Sequence, residues 1–125
     1  MEWPDIESAL ITRLVADGYQ GEVGTETYPL EGGPDRFTRL HAIGGADNGL
    51  TDAARVDVET FAASREVAMD MASELRQWMH KQAGRAVGGV LIDTVRTAQR
   101  PTQLPYRNPG VYRVVASYTV ETRLQ

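Results

Sequence analysis

The chain has 125 residues, a formal charge of −4, no cysteine, and 12 arginines against a single lysine. That length suits one domain burying about two-thirds of its unfolded surface, and the missing thiols exclude disulfides and thiolate metal sites. No apolar run approaches the ~20 residues of a membrane-spanning helix, and the acidic balance argues against phosphate binding as the main task.

Charge is unevenly spread. Residues 1–62 hold 12 acidic and 4 basic side chains, whereas residues 63–125 hold 5 and 9. Either folding interleaves the two halves, or the polarity survives on the surface and lets copies attract one another head-to-tail. The opening Met1-Glu2-Trp3-Pro4-Asp5 is acidic where a signal peptide would be basic, so synthesis in a cytoplasm is expected.

In chain order, Asp5 to Asp17 reads as a helix. Asp5 can cap it, Glu7 suits its positive end, and Ile6, Leu10 and Leu14 form an apolar stripe widened by Ile11 and Val15. Gly18 is a natural stop. Gly21 to Pro29 alternates and is β-branched, predicting a strand that ends or runs at an edge at Pro29. Residues 30–35 are loop chemistry. Two extended stretches follow, Arg36–Ile43 and Arg55–Phe61, separated by a long hairpin loop from Gly44 to Asp52.

The best-defined element is a helix over Arg65–Ala83, capped by Ser64 and left at Gly84. Val67, Ala68, Met71, Ala72, Leu75, Trp78 and Met79 share one arc of its wheel, and the Trp78 face should lie on a sheet. Residues 86–98 predict a strand, and Arg100 to Gly110 a proline-marked connection. Last, Tyr112, Val114, Ala116, Tyr118 and Val120 alternate with polar neighbours over Val111–Arg123, the pattern of a half-buried strand. At ~3.3 Å per residue this strand would extend about 43 Å, against roughly 35 Å for a globule of this size. Its end beyond Ser117 is therefore expected to bend, fray or pair with another copy. The order α-β-β-β-α-β-β gives an α+β class: a mixed or antiparallel sheet of about four to five strands, with two helices on one face.

Candidate chemistry is sparse. His80 falls in the last turn of the long helix, where a cation suits the dipole. His41 is in phase with Phe37, Arg39 and Ile43 on a strand. Asp47, Asn48 and Asp52 lack the alternating spacing of a calcium loop. Asp57 and Glu59 share a strand face, as ion-paired carboxylates usually do. Gly32-Gly33 and Gly88-Gly89 lack phosphate-loop spacing, Met71 and Met79 fit packing better than a cofactor box, and Arg107, Arg113 and Arg123 have few aromatics among them. No catalytic set, cofactor or metal is expected.

Several phrases, in this order, resemble the tail terminator proteins of long-tailed bacteriophages. They are the capped helix ending at Gly18, Thr27-Tyr28-Pro29, Arg39 leading to Gly44-Gly45, Val56-Asp57-Val58-Glu59-Thr60-Phe61-Ala62 running into the alanine-rich helix, Gly88-Gly89, Leu104-Pro105-Tyr106, and a closing strand from Arg113 to Arg123. Arg100-Pro101 departs from the Gly-Pro expected before the Leu-Pro-Tyr segment. The resemblance implies a virion protein made in the host cytoplasm and placed at the head-proximal end of the tail. It implies a hexameric ring that binds the tail-tube protein, stops tube growth, and joins a neck or head-completion protein, with DNA passing through its channel and no membrane involved. A neck connector, or less so a small ligand-binding or enzymatic domain, is the alternative. The resemblance further implies that the loop with Asp47, Asn48 and Leu50 meets a neighbour. Asp57, Glu59, Arg113, Glu121 and Arg123 complete the expected subunit and tail interface.

Overall fold

The computed structural model describes residues 5–19, 21–24, 36–47, 51–87, 90–106 and 110–124. Eight elements follow in order: α1 (Ile6–Ala16), β1 (Glu22–Gly24), β2 (Arg36–Asp47), β3 (Thr51–Ala62), α2 (Arg65–Lys81), β4 (Ala86–Val87), β5 (Val90–Leu104) and β6 (Tyr112–Leu124). The strands form one sheet in the order β1-β2-β3-β6-β5-β4. Only β1 against β2 is parallel; every other pair is antiparallel. The chain is an α+β domain with a mixed sheet. No helix among the described residues is long and apolar enough to cross a membrane.

Both helices start on side-chain caps. Asp5 accepts from the Ser8 N–H at 3.2 Å, and Ser64 accepts from the Val67 N–H at 3.2 Å, each satisfying one orphan donor of a first turn. At the far ends, Gly18 and Gly84 take positive φ of 86° and 84°, which lets the chain leave without a Cβ penalty. The α1 stripe is narrower than the periodicity implies. Leu10 and Leu14 are buried, but Val15 is 61% exposed, because it falls outside the arc facing β2.

On α2 the buried residues are Ala68, Met71, Ala72, Leu75 and Met79. They pack on the sheet face carrying Val56, Val58, Val114, Ala116, Tyr118 and Val120. Trp78 sits at the margin of this core, half-buried, and its Nε1–H donates to Asp17 at 2.9 Å. The cost of Trp78→Ala should therefore be about 1–2 kcal/mol in urea titrations, below the ~3–5 typical of a fully buried aromatic. Gln82, fully buried at the C-cap, donates to the Trp78 carbonyl at 2.8 Å and accepts from Arg85 at 3.1 Å.

The strands outrun their sequence signals. The hairpin loop expected from Gly44 to Asp52 is largely strand: β2 continues to Asp47, which pairs with Asp52. A register shift between Ile43 and Gly45 absorbs one residue at the glycine pair, so the ladder resumes past a composition that reads as loop. Of the strand expected over Gly21–Pro29, β1 accounts for Glu22–Gly24, and residues 25–35 lie outside the described ones. The strand expected over 86–98 divides into the two-residue β4 and a β5 that runs through Arg100-Pro101 to Leu104.

The closing strand requires the largest correction. Rather than projecting toward another copy, β6 is a central strand, paired with β3 from Tyr112 to Arg123 and with β5 from Arg113 to Leu124. Its length is matched by β3 and β5 at its sides, so the sheet is simply long along its strands. The two charge halves interleave, as Glu59–Arg113 and Asp17–Arg85 pairs link them.

Candidate functional site

Period-two alternation sends odd residues of β3 and β6 to the sheet face opposite the helices. Phe37, Arg39 and His41 of β2 stand there opposite Phe61, Glu59 and Asp57 of β3. These in turn stand beside Arg113, Val115 and Ser117 of β6. Among the described residues no helix covers this face. Tyr106 and Val111 pack at one end, against Phe37 and Phe61, and the Phe61 and Tyr106 rings meet edge-to-face at 5.3 Å.

At the centre is a buried carboxylate. Glu59 is 5% exposed. One of its oxygens accepts from Arg39 Nη1 at 2.8 Å, and the other accepts from Arg113 Nε at 2.9 Å and from Arg113 Nη2. Arg39 lies directly across from Glu59 and Arg113 diagonally, so one carboxylate joins β2, β3 and β6. Charge-assisted forks of this kind combine strength with fixed geometry. With both oxygens engaged by guanidinium groups, Glu59 is placed to lock strands together.

A second network lies two residues along. The Ser117 hydroxyl donates to Asp57 at 2.7 Å and accepts from Arg55 at 3.1 Å, while Arg55 Nε donates to Asp57 at 3.2 Å. Farther toward the strand ends, Arg96 pairs with Glu121 at 2.8 Å, and Arg123 with Asp93 at 2.9 Å. At the β2 side, Glu7 of α1 accepts from the Ala42 N–H at 2.8 Å and lies 3.5 Å from His41 Nδ1.

Five of the expected interface residues, Asp57, Glu59, Arg113, Glu121 and Arg123, thus share one face, each in an ion pair or hydrogen bond with its own chain. Asp47 lies apart from them, at the end of β2 opposite Asp52. Asn48 and Leu50 fall outside the described residues, as does Arg107. Sequence reasoning missed Arg55, Asp93, Arg96 and Ser117. The odd-residue alternation of β3 and β6 could have found Arg55 and Ser117, but the β5 pair depends on bulges that no local signal announces.

His80, on the other face, contacts Thr97 Oγ1 through Nε2 at 2.7 Å and meets the Tyr118 ring edge-on at 6.1 Å. No three His, Asp or Glu side chains among the described residues gather as a metal site. A shallow notch between the helices is lined by Leu14, Asp17, Tyr19, Glu74 and Trp78. Burial pushes the Tyr19 hydroxyl above its ordinary pKa, opposed by its hydrogen bond with Thr38 and reinforced by the Glu74 charge. Compared with known protein families and with curated proteins, the chain matches none.

Proposed function

We propose that this chain is a structural subunit that assembles with copies of itself into a closed ring. Within that class, we propose that it caps the tail tube of a long-tailed bacteriophage, ends tube growth and offers a surface for the head to join. The observation that supports assembly is the sheet face that no helix among the described residues covers. Its charges are committed to ion pairs around a buried Glu59 instead of being gathered in a cleft with a free acid or base. A long sheet stiffened in this way suits a scaffold that must hold shape under load from neighbours. The narrower tail-terminator reading rests on the ordered phrases from the capped first helix to Arg123.

Light scattering over a concentration series tests the first part, with a discrete multimer expected. Negative-stain imaging of the protein mixed with tail-tube protein tests the second, with rings expected at tube ends. A chain that stays monomeric at high concentration and beside tail-tube protein would end the assembly proposal. A ring that binds a head or neck component but leaves tube ends bare would move the assignment to a neck connector.

A further inference from the structure

The two ends of the sheet are finished differently. At the β1 end the strand is only three residues long, and beyond it Glu7 takes up the Ala42 N–H. At the other end β4 pairs with Val90 and Leu91 alone, and the backbone of Ile92 is satisfied by Gly84 and Arg85 at 2.7 and 2.9 Å. From Thr94 to Leu104, no strand among the described residues lies beyond β5. Thr97 and Gln103 do reach α2, through His80 and Arg65, but with their side chains and not their backbone. A row of open backbone donors and acceptors is a template for another strand.

That edge is narrowed by its own irregularities. Register shifts fall between Ile92 and Thr94, between Thr97 and Gln99, and between Gln99 and Thr102. Pro101 lacks an N–H. One regular run of four residues remains between the first and second of these shifts, Thr94-Val95-Arg96-Thr97. Such a short run admits a partner in one register and resists indefinite stacking.

We infer that this run receives β1 of a second copy, so that the sheet continues from subunit to subunit. The inference rests on the ring reading above and names its contact. Pairing of β5 with β5 would set Arg96 and Arg100 of one copy near those of another, and like charges across a ladder repel. The opposite edge of the same sheet offers the complement: among the described residues Glu22–Gly24 is an edge strand of three residues, short enough to fit within the four-residue run, with an exposed glutamate. Joining two different edges makes the contact heterologous, as a ring requires.

Hydrogen exchange on the full chain, run at a dilute monomeric concentration and at one where light scattering shows the multimer, tests the contact. Backbone amides within 94–97 should exchange about tenfold or more slowly in the multimer, while those of α2 stay unchanged. Arg96→Glu and Glu22→Arg should each weaken association about tenfold, and the double variant should recover it. Unchanged α2 exchange identifies variants that remain folded. A multimer whose 94–97 amides exchange as in the monomer overturns the β1–β5 contact and leaves the ring proposal standing. Failure of wild type to associate overturns both.

Discussion

Glu59→Ala should lower the unfolding free energy by about 3 kcal/mol, whereas Glu121→Ala should cost under about 0.5 kcal/mol. Both glutamates pair with arginine on the same sheet face, so burial makes the difference. Glu59 is 5% exposed and receives two guanidinium groups, whereas Glu121 pairs with an Arg96 side chain that is 69% exposed. Exposed pairs gain little because solvent screens them. Removing Glu59 leaves Arg39 and Arg113 facing each other with side chains only 26% and 30% exposed. Some relief comes as they swing outward, which places the loss at the low end of the ~3–5 kcal/mol for breaking a buried pair. Glu59→Gln should lose nearly as much, since its amide can turn only one accepting oxygen toward two donors' worth of arginine. Urea titrations with an unchanged slope would show the loss to be one of stability. A Glu59→Ala variant as stable as wild type would mean that the clamp does not hold the strands, and would point to another role for the buried carboxylate.

What the sequence made legible was whatever a local period encodes. Leu10 and Leu14, the five buried residues of α2 and the buried Val114, Ala116, Tyr118 and Val120 follow from 3.6- or 2-residue spacing, and the helix caps follow from Asp5 and Ser64. The half-buried pattern expected of β6 fails at Tyr112, which is 38% exposed, and at Val115 and Ser117, which are buried on the other face. Strand ends were hidden, because a strand continues as long as its neighbour supplies partners. Gly44 to Asp47 stays in the ladder through a bulge, and Pro101 is tolerated because β5 is an edge there. The same reason concealed the centrality of β6. Its length was readable, but that β3 and β5 flank it throughout is a fact about long-range pairing. At the candidate site, face membership of Asp57, Glu59, Arg113, Glu121 and Arg123 was implied by parity. Their partners required the register that sets Arg39 against Glu59 and Ser117 against Asp57.

Tyr118 should make the fold fail early in alkali. Its ring is fully buried beneath α2, and its hydroxyl is buried without a hydrogen-bond partner among the described residues. Burial pushes the phenol up to about 12 from 10.0, with the Arg76 charge opposing in part. Between those values the unfolded chain has lost the proton and the folded chain still holds it. The folded state then binds more protons, so stability falls as pH rises. Below pH 10 the contribution is complete; by pH 12 the loss should reach about 2–3 kcal/mol, at 1.36 kcal/mol per unit. Tyr19, also raised by burial, adds a smaller slope of the same sign. Tyr118→Phe should flatten most of this alkaline limb. At neutral pH it should also stabilise the protein by about 1 kcal/mol, since it deletes a desolvated hydroxyl that gains nothing in return. Denaturant titrations across the alkaline range, beside phenolate absorbance, measure both effects. If the Phe variant is less stable at neutral pH and keeps the full alkaline limb, the Tyr118 hydroxyl has a partner, and its burial is not what drives the loss.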